Sequence, residues 1–244
     1  MSNIKVFYDL HIHTALSPCG QDSMRPNSIL EQASSNGLDI IAICDHNSVK
    51  QLINFDYIKE KYNVLVVPGV EITVNEGYHV CCLFTNFINA YEFGNEIIAN
   101  LNPYEHDLSK LGHQIVFDHN DDFLHEITSV THQQFTNITI PKLREYMDKY
   151  DGIMILGHIE RYDEKIYKEV QTIYKNCFDA IEINARSDYE TIVKEYPFLL
   201  NKTITRSTDA HDLSVISTQK NSFNIDEKSV KGLLKHIKYT NVDK

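Results

Sequence analysis

The chain has 244 residues, 42% hydrophobic and 23% charged, with a formal net charge of −11 at pH 7. This is the length of one large domain and the composition of an ordinary soluble globular protein. It shows no apolar run long enough to span a bilayer and no signal-peptide h-region, and its acidity speaks against general adhesion to long nucleic acids or anionic membranes.

Lys5 to Leu10 reads as a short buried strand running into Asp9-Leu10-His11-Ile12-His13-Thr14. Strict alternation places Asp9, His11 and His13 on one face and Leu10 and Ile12 on the other. Two imidazoles and a carboxylate at a strand end suit a divalent metal. After a polar loop, Pro26 opens a helix that ends at Gly37. Asp39 to Cys44 is an apolar strand leading into Asp45-His46-Asn47, and Val49 to about Tyr62 looks helical. Val64 to Val67 is the next strand. Pro68-Gly69 interrupts it, Val70 to Val74 resumes, and a turn at 75–77 returns the chain through His79 to Phe84 as a hairpin.

Ala90 to Leu101 is a helix candidate. Residues 102–139 are the least regular part and read as a surface insertion, with a small hairpin formed by Gln114–Asp118 and Asp122–Ile127. Pro141 opens another helix. Strands Ile153–Leu156, Ala180–Ile183 and Ile204–Ser207 then alternate with helices Asp163–Asn176 and Asp188–Leu199, and Glu227 to Tyr239 closes the chain as a helix. With no repeat and no linker, residues 1–244 are expected to form a single domain.

Strand followed by helix, repeated along the chain, implies a largely parallel sheet with right-handed crossovers. The metal-type residues fall at the strand ends: His11 and His13, Asp45 and His46, Glu71, His158, Asp209 and His211. In a barrel these ends meet in one mouth. The five cysteines, Cys19, Cys44, Cys81, Cys82 and Cys177, form no C-x-x-C pair and are expected to be reduced thiols of a cytoplasmic protein.

The segments DLHIHT, CDHNS, PGVEIT, YHV, LGHIER and STDAHD, in this order from residue 9 to residue 212, resemble the PHP (polymerase and histidinol phosphatase) family. YHV after Glu71, and Arg161 after His158, look most like its small bacterial phosphoesterases. The resemblance implies a distorted seven-stranded β/α barrel with its metal site at the C-terminal strand ends, and two or three divalent ions, Zn, Mn or Fe. By position, His11, His13, Glu71 and Asp209 would hold a first ion. Glu71 would bridge to a second, held by His79 and His158, and His46 and His211 would hold a third. Asp9 and Asp45 would orient imidazoles. The family usually completes its third site with an Asp or His soon after the H-x-H. Here Ser17-Pro18-Cys19-Gly20-Gln21-Asp22 stands there, leaving Cys19 or Asp22 as the candidate.

The implied activity is hydrolysis of a phosphate ester by a metal-activated hydroxide. Arg161 and Arg186 are placed to grip phosphate, His211 or a water could protonate the leaving group, and Glu182 is either a packing residue or a support for the ligands. The expected substrate is a small phosphomonoester, a nucleotide or a short oligonucleotide, with no membrane and no stable long nucleic acid as partner. The alternative is a catalytically silent metal-binding module of a larger complex.

Overall fold

The computed structural model describes residues 3–240. Its main sheet has eight strands among these residues: β1 (Ile4–Ile12), β2 (Ile40–Ile43), β3 (Leu65–Thr73), β4 (His79–Phe84), β7 (Gly152–Leu156), β8 (Ala180–Glu182), β9 (Thr203–Thr205) and β10 (Ser222–Ile225). β5 (Ile115–Phe117) and β6 (Phe123–Glu126) form a separate antiparallel pair within 102–139. The order is β10-β1-β2-β3-β4-β7-β8-β9. The pairs β1–β2, β2–β3, β7–β8 and β8–β9 are parallel, whereas β3–β4 and β4–β7 are antiparallel.

The sheet curls until its ends meet. Ile12 bridges Ala210 just beyond β9; the His13 amide donates to the Ala210 carbonyl at 2.9 Å and the Ala210 amide to that of His11 at 3.1 Å. Seven strands thus make the distorted barrel. β10, which the sequence reading did not mark, pairs with the outer part of β1, from Ile4↔Ile225 to Phe7↔Ser222.

Alternation sorts side chains into two layers. Ile41, Ile43, Val70, Ile72, Val80, Met154, Leu156 and Ile181 face outward onto the helices. Tyr8, Leu10, Ala42, Cys44, Val67, Cys81, Leu83, Ile155 and Ala180 face inward, in one cluster with Leu233, Leu234 and Ile237 of the closing helix Val230–Tyr239. That helix plugs the end where the parallel strands begin, leaving the opposite end for polar groups. Pro68 sits inside β3 without harm, because there the strand changes partner. Leu65–Pro68 pair with β2 and Gly69–Thr73 with β4, so no ladder bond is asked of its missing N–H.

One expectation fails. Asp9 does not share a face with His11 and His13. β1 carries a bulge: Asp9 pairs with Ile41 and Ile12 with Ile43, three steps against two. Leu10 and His11 therefore both face the interior, and Asp9 points to the outer side, where it accepts from the Thr208 amide and hydroxyl and the Ser217 amide. Asp9 therefore fastens the loop that carries Asp209 and orients no imidazole.

Residues 102–139 pack on the barrel rather than hanging from it. The Ile115 amide donates to the Ala15 carbonyl at 2.8 Å, and Gln51 exchanges hydrogen bonds with the Phe117 backbone. At the hairpin tip, the Asp121 carboxylate accepts from the amides of Asn27 and Ser28 at 2.8 and 3.0 Å. It caps the helix Pro26–Ser35, whose own N-cap residue, Arg25, supplies no side-chain cap.

Candidate metal centre

At the end of β1 the bulge aims His11 inward, and His13 follows on the same side. Their Nε2 atoms lie 3.1 Å apart. Behind His13, Ser17 Oγ lies 3.0 Å from Nδ1 and donates to Asp45 Oδ1 at 2.7 Å. Asp45 also accepts from the amide and hydroxyl of Thr14, at 2.7 and 2.8 Å. It thus shapes the loop after β1 and reaches His13 through Ser17. Behind His11, Glu182 on β8 lies 3.0 Å from Nδ1.

Glu71, near the end of β3, is the centre of the arrangement and fully buried. Its Oε1 is 3.3 Å from His11 Nε2, 3.0 Å from His79 Nδ1 and 3.2 Å from His158 Nε2. Its Oε2 is 3.4 Å from His13 Nε2 and 2.9 Å from His46 Nδ1. His158 follows Gly157, where a Cβ would stand 3.3 Å from the His79 carbonyl oxygen, so β4 and β7 approach closely here. His158 and Asp209 both adopt left-handed backbone, with φ of 30° and 53°. For residues other than glycine this is sparsely populated, and it turns both side chains back over the mouth.

Asp209 Oδ1 lies 3.0 Å from His13 Nε2 and 3.5 Å from His11 Nε2. Its Oδ2 meets the Arg161 guanidinium at 2.7 Å. His211 Nδ1 lies 2.8 Å from the Asp209 carbonyl oxygen, which can only accept, so the proton sits on Nδ1 and Nε2 keeps its lone pair. Arg186, Cys19, Gln21, Asp209, His211 and Asp212 line a pocket of about 160 Å³ at the rim.

Charge is poised around the two carboxylates. Burial alone would raise Glu71, but the imidazoles of His79, His11 and His46 outweigh it and hold the carboxyl well below its usual range. Burial likewise opposes ionisation of Asp209, and His11 and His13 reverse the effect. Loss of water pulls His11 down, yet Glu182, Glu71 and Asp209 together lift it well above an ordinary histidine. His13 moves the other way: burial and the nearby His211 and His46 push it well below.

The donor set fits divalent cations. Ligand atoms of His13, His46 and His211 lie within 4.8 Å of one another, as do those of His11, His13 and Glu71, and of His46, Glu71 and His79. Glu71 Oε2 and His46 Nδ1 are buried, face each other, and have no partner in hydrogen-bond geometry. Unshared nitrogen and oxygen lone pairs converging out of water need positive charge between them, and this mixture suits Zn, Mn or Fe.

Of the residues singled out in the sequence, His11, His13, His46, Glu71, His79, His158, Asp209 and His211 come together, and Arg161 and Arg186 reach the mouth. Cys19 joins none of the ligand groups. It is exposed at the rim. Ser17 and Thr14 were missed, since nothing in a loop of small polar residues announces which one will back a histidine. His113 lies apart, exposed and paired with Glu126 at 2.7 Å.

A sequence model of the PHP domain matches residues 9–186. The chain belongs to the PHP domain family. An uncharacterized protein of Methanocaldococcus jannaschii is 36% identical to this PHP chain over 86 residues, which is 32% of the chain and 50% of that relative. Among solved structures, a lesion-specific endonuclease from Pyrococcus furiosus matches with a TM-score of 0.69 and 16% identity, over 96% of this chain and 56% of its own. A Bifidobacterium adolescentis protein assigned as a metal-dependent phosphoesterase matches with a TM-score of 0.60 and 17% identity, over 93% and 95%. At such identities the two structures speak for the PHP fold alone. The chain spans about half the length of the M. jannaschii relative and of the endonuclease.

Proposed function

We propose that this PHP domain is a metal-dependent phosphoesterase. The observation that carries the reading is the convergence of five imidazoles on one buried carboxylate, Glu71, with two arginines at the rim. In this reading His11, His13, Glu71 and Asp209 hold one ion. Glu71, His79 and His158 would hold a second, with Glu71 common to both sets, and His46 and His211 would hold a third. Cys19 borders the third position without entering it. Zn, Mn or Fe, when bound, supplies Lewis-acid charge and lowers the pKa of coordinated water to near neutrality.

The chain's own residues do the rest. Arg186 lines the pocket and Arg161 stands beside Asp209, so a phosphoryl group entering there meets two planar donors able to grip its oxygens and stabilise charge during transfer. His211, with its proton held on Nδ1, keeps the Nε2 lone pair free at the mouth, to serve as a ligand or to take a proton from the attacking water and pass it to the leaving oxygen. Buried Glu71 and Asp209 fix the ligand geometry, while the apolar interior below excludes water.

The rim pocket of about 160 Å³ suits a phosphoryl group, as carried by a small phosphomonoester, a nucleotide or a short oligonucleotide. The activity of the lesion-specific endonuclease is of the same broad chemistry. The free, buried thiols Cys44, Cys81 and Cys82 suit a reducing, cytoplasmic setting.

The test is turnover of a panel of phosphomonoesters and short oligonucleotides. Activity should vanish with chelator and return with Mn or Zn. No turnover with metal measured as bound would leave a silent metal-holding module instead.

A further inference from the structure

Glu182 is almost fully buried on β8, between the inward Ala180 below and the mouth above. Its Oε1 and Oε2 lie 3.0 and 3.2 Å from His11 Nδ1, and Oε1 also accepts the His158 amide at 3.1 Å. Among the described residues no Lys or Arg pairs with it. A buried carboxylate without such a partner is costly, and a hydrophobic residue would pack the position at less expense. Its two contacts show what it does instead. His11 sits on β1 and His158 just past the end of β7, and both turn Nε2 toward Glu71. His158 also holds its uncommon left-handed backbone where its amide meets Glu182.

We propose that Glu182 is a positioning residue for the metal centre: it keeps a proton on His11 Nδ1 and pins the His158 backbone, so that two strands present Nε2 to one point. This builds on the metal-centre reading above. The carboxylate can only accept, so Nδ1 must donate, and the ring cannot flip without burying an unpaired oxygen. The rival is that Glu182 itself ligates, together with Cys81, whose Sγ lies 3.4 Å from the same Nδ1.

Nitrogen-15 NMR of histidine-labelled protein, with and without Zn, separates these. Positioning requires a protonated His11 Nδ1 in both states. Zn binding, followed by chelator competition, should weaken about 10- to 100-fold in Glu182→Ala. It should weaken less in Glu182→Gln, whose amide oxygen still accepts both donors. Should Glu182→Ala fail to fold, Glu182→Gln and the wild-type spectrum still decide. An unprotonated Nδ1 in the Zn-loaded wild type would assign Glu182 and Cys81 as ligands and overturn the proposal. Unchanged Zn affinity in Glu182→Gln and Glu182→Ala would reduce Glu182 to packing. If the wild type takes up no Zn, the metal-centre reading fails, and an Nδ1 proton kept in Glu182→Gln but lost in Glu182→Ala still reports on positioning.

Discussion

His11 and His13 present their Nε2 atoms to each other at 3.1 Å, and each is within 3.4 Å of a different oxygen of Glu71. Two imidazoles this close cannot both be served by one shared proton while also facing a carboxylate and Asp209. The pair converges on the space between Glu71 and Asp209. Glu71 divides that arrangement, with one oxygen turned to His11, His79 and His158 and the other to His13 and His46.

This division predicts the behaviour of Glu71→Ala. A carboxylate that serves two ions takes both with it when removed, so elemental analysis of the variant should show a loss of more than one metal equivalent. His113→Ala, in the exposed pair with Glu126, should keep full metal content. Full occupancy in Glu71→Ala would end the bridging assignment.

The arginines should separate substrate binding from metal binding. Charge-assisted hydrogen bonds are worth roughly 1.5–3 kcal/mol, so Arg161→Ala and Arg186→Ala should each lower kcat/KM by about 10- to 150-fold. Lysine at either position should recover part of that loss. Arg161 has a second task, since its guanidinium holds Asp209 Oδ2 at 2.7 Å. Removing it frees a ligand oxygen, so Arg161→Ala should bind metal at least as tightly as wild type while turning over more slowly. Weaker metal binding in Arg161→Ala would mean that the arginine supports Asp209 instead of competing for it.

Much of this candidate centre could be read before any fold was known, because the residues that could ligate cluster near strand ends. His11, His46, Glu71 and His158 each follow or end an apolar run, Asp209 follows the short, mostly polar strand Thr203–Thr205, and a barrel brings those ends together. The supports were less visible. Ser17 and Thr14 act through a carboxylate from another strand, and their role depends on a loop path that local sequence does not fix. Asp9 was misplaced because alternation assumes an unbroken ladder, and the bulge after it carries no sequence marker such as glycine. β10 escaped notice because Ser222–Ile225 is short and is held by the edge of β1 rather than by its own pattern. The helix expected from Ala90 begins at Phe87, since Asn86 caps it by accepting the Asn89 amide at 2.9 Å.

The hairpin of residues 102–139 should contribute to stability through its tip. Asp121→Ala removes the only side-chain acceptor among the described residues for the first turn of Pro26–Ser35, along with the hydrogen bond from the Ser28 hydroxyl. Loss of such a cap costs about 0.5–2 kcal/mol. Thermal or urea unfolding should report that loss, with Asp121→Asn recovering part of it. A midpoint unchanged in Asp121→Ala would show that the helix start is served by water.

The bulge in β1 divides the strand into two reading frames. Below it, Val6 and Tyr8 keep step with the barrel core; above it, His11 and His13 keep step with the mouth. Unbroken alternation through Leu10 would instead swing His11 out among the helices and leave the lower strand untouched. The foundation and the chemistry of β1 are therefore separately adjustable, and a single extra residue keeps them so.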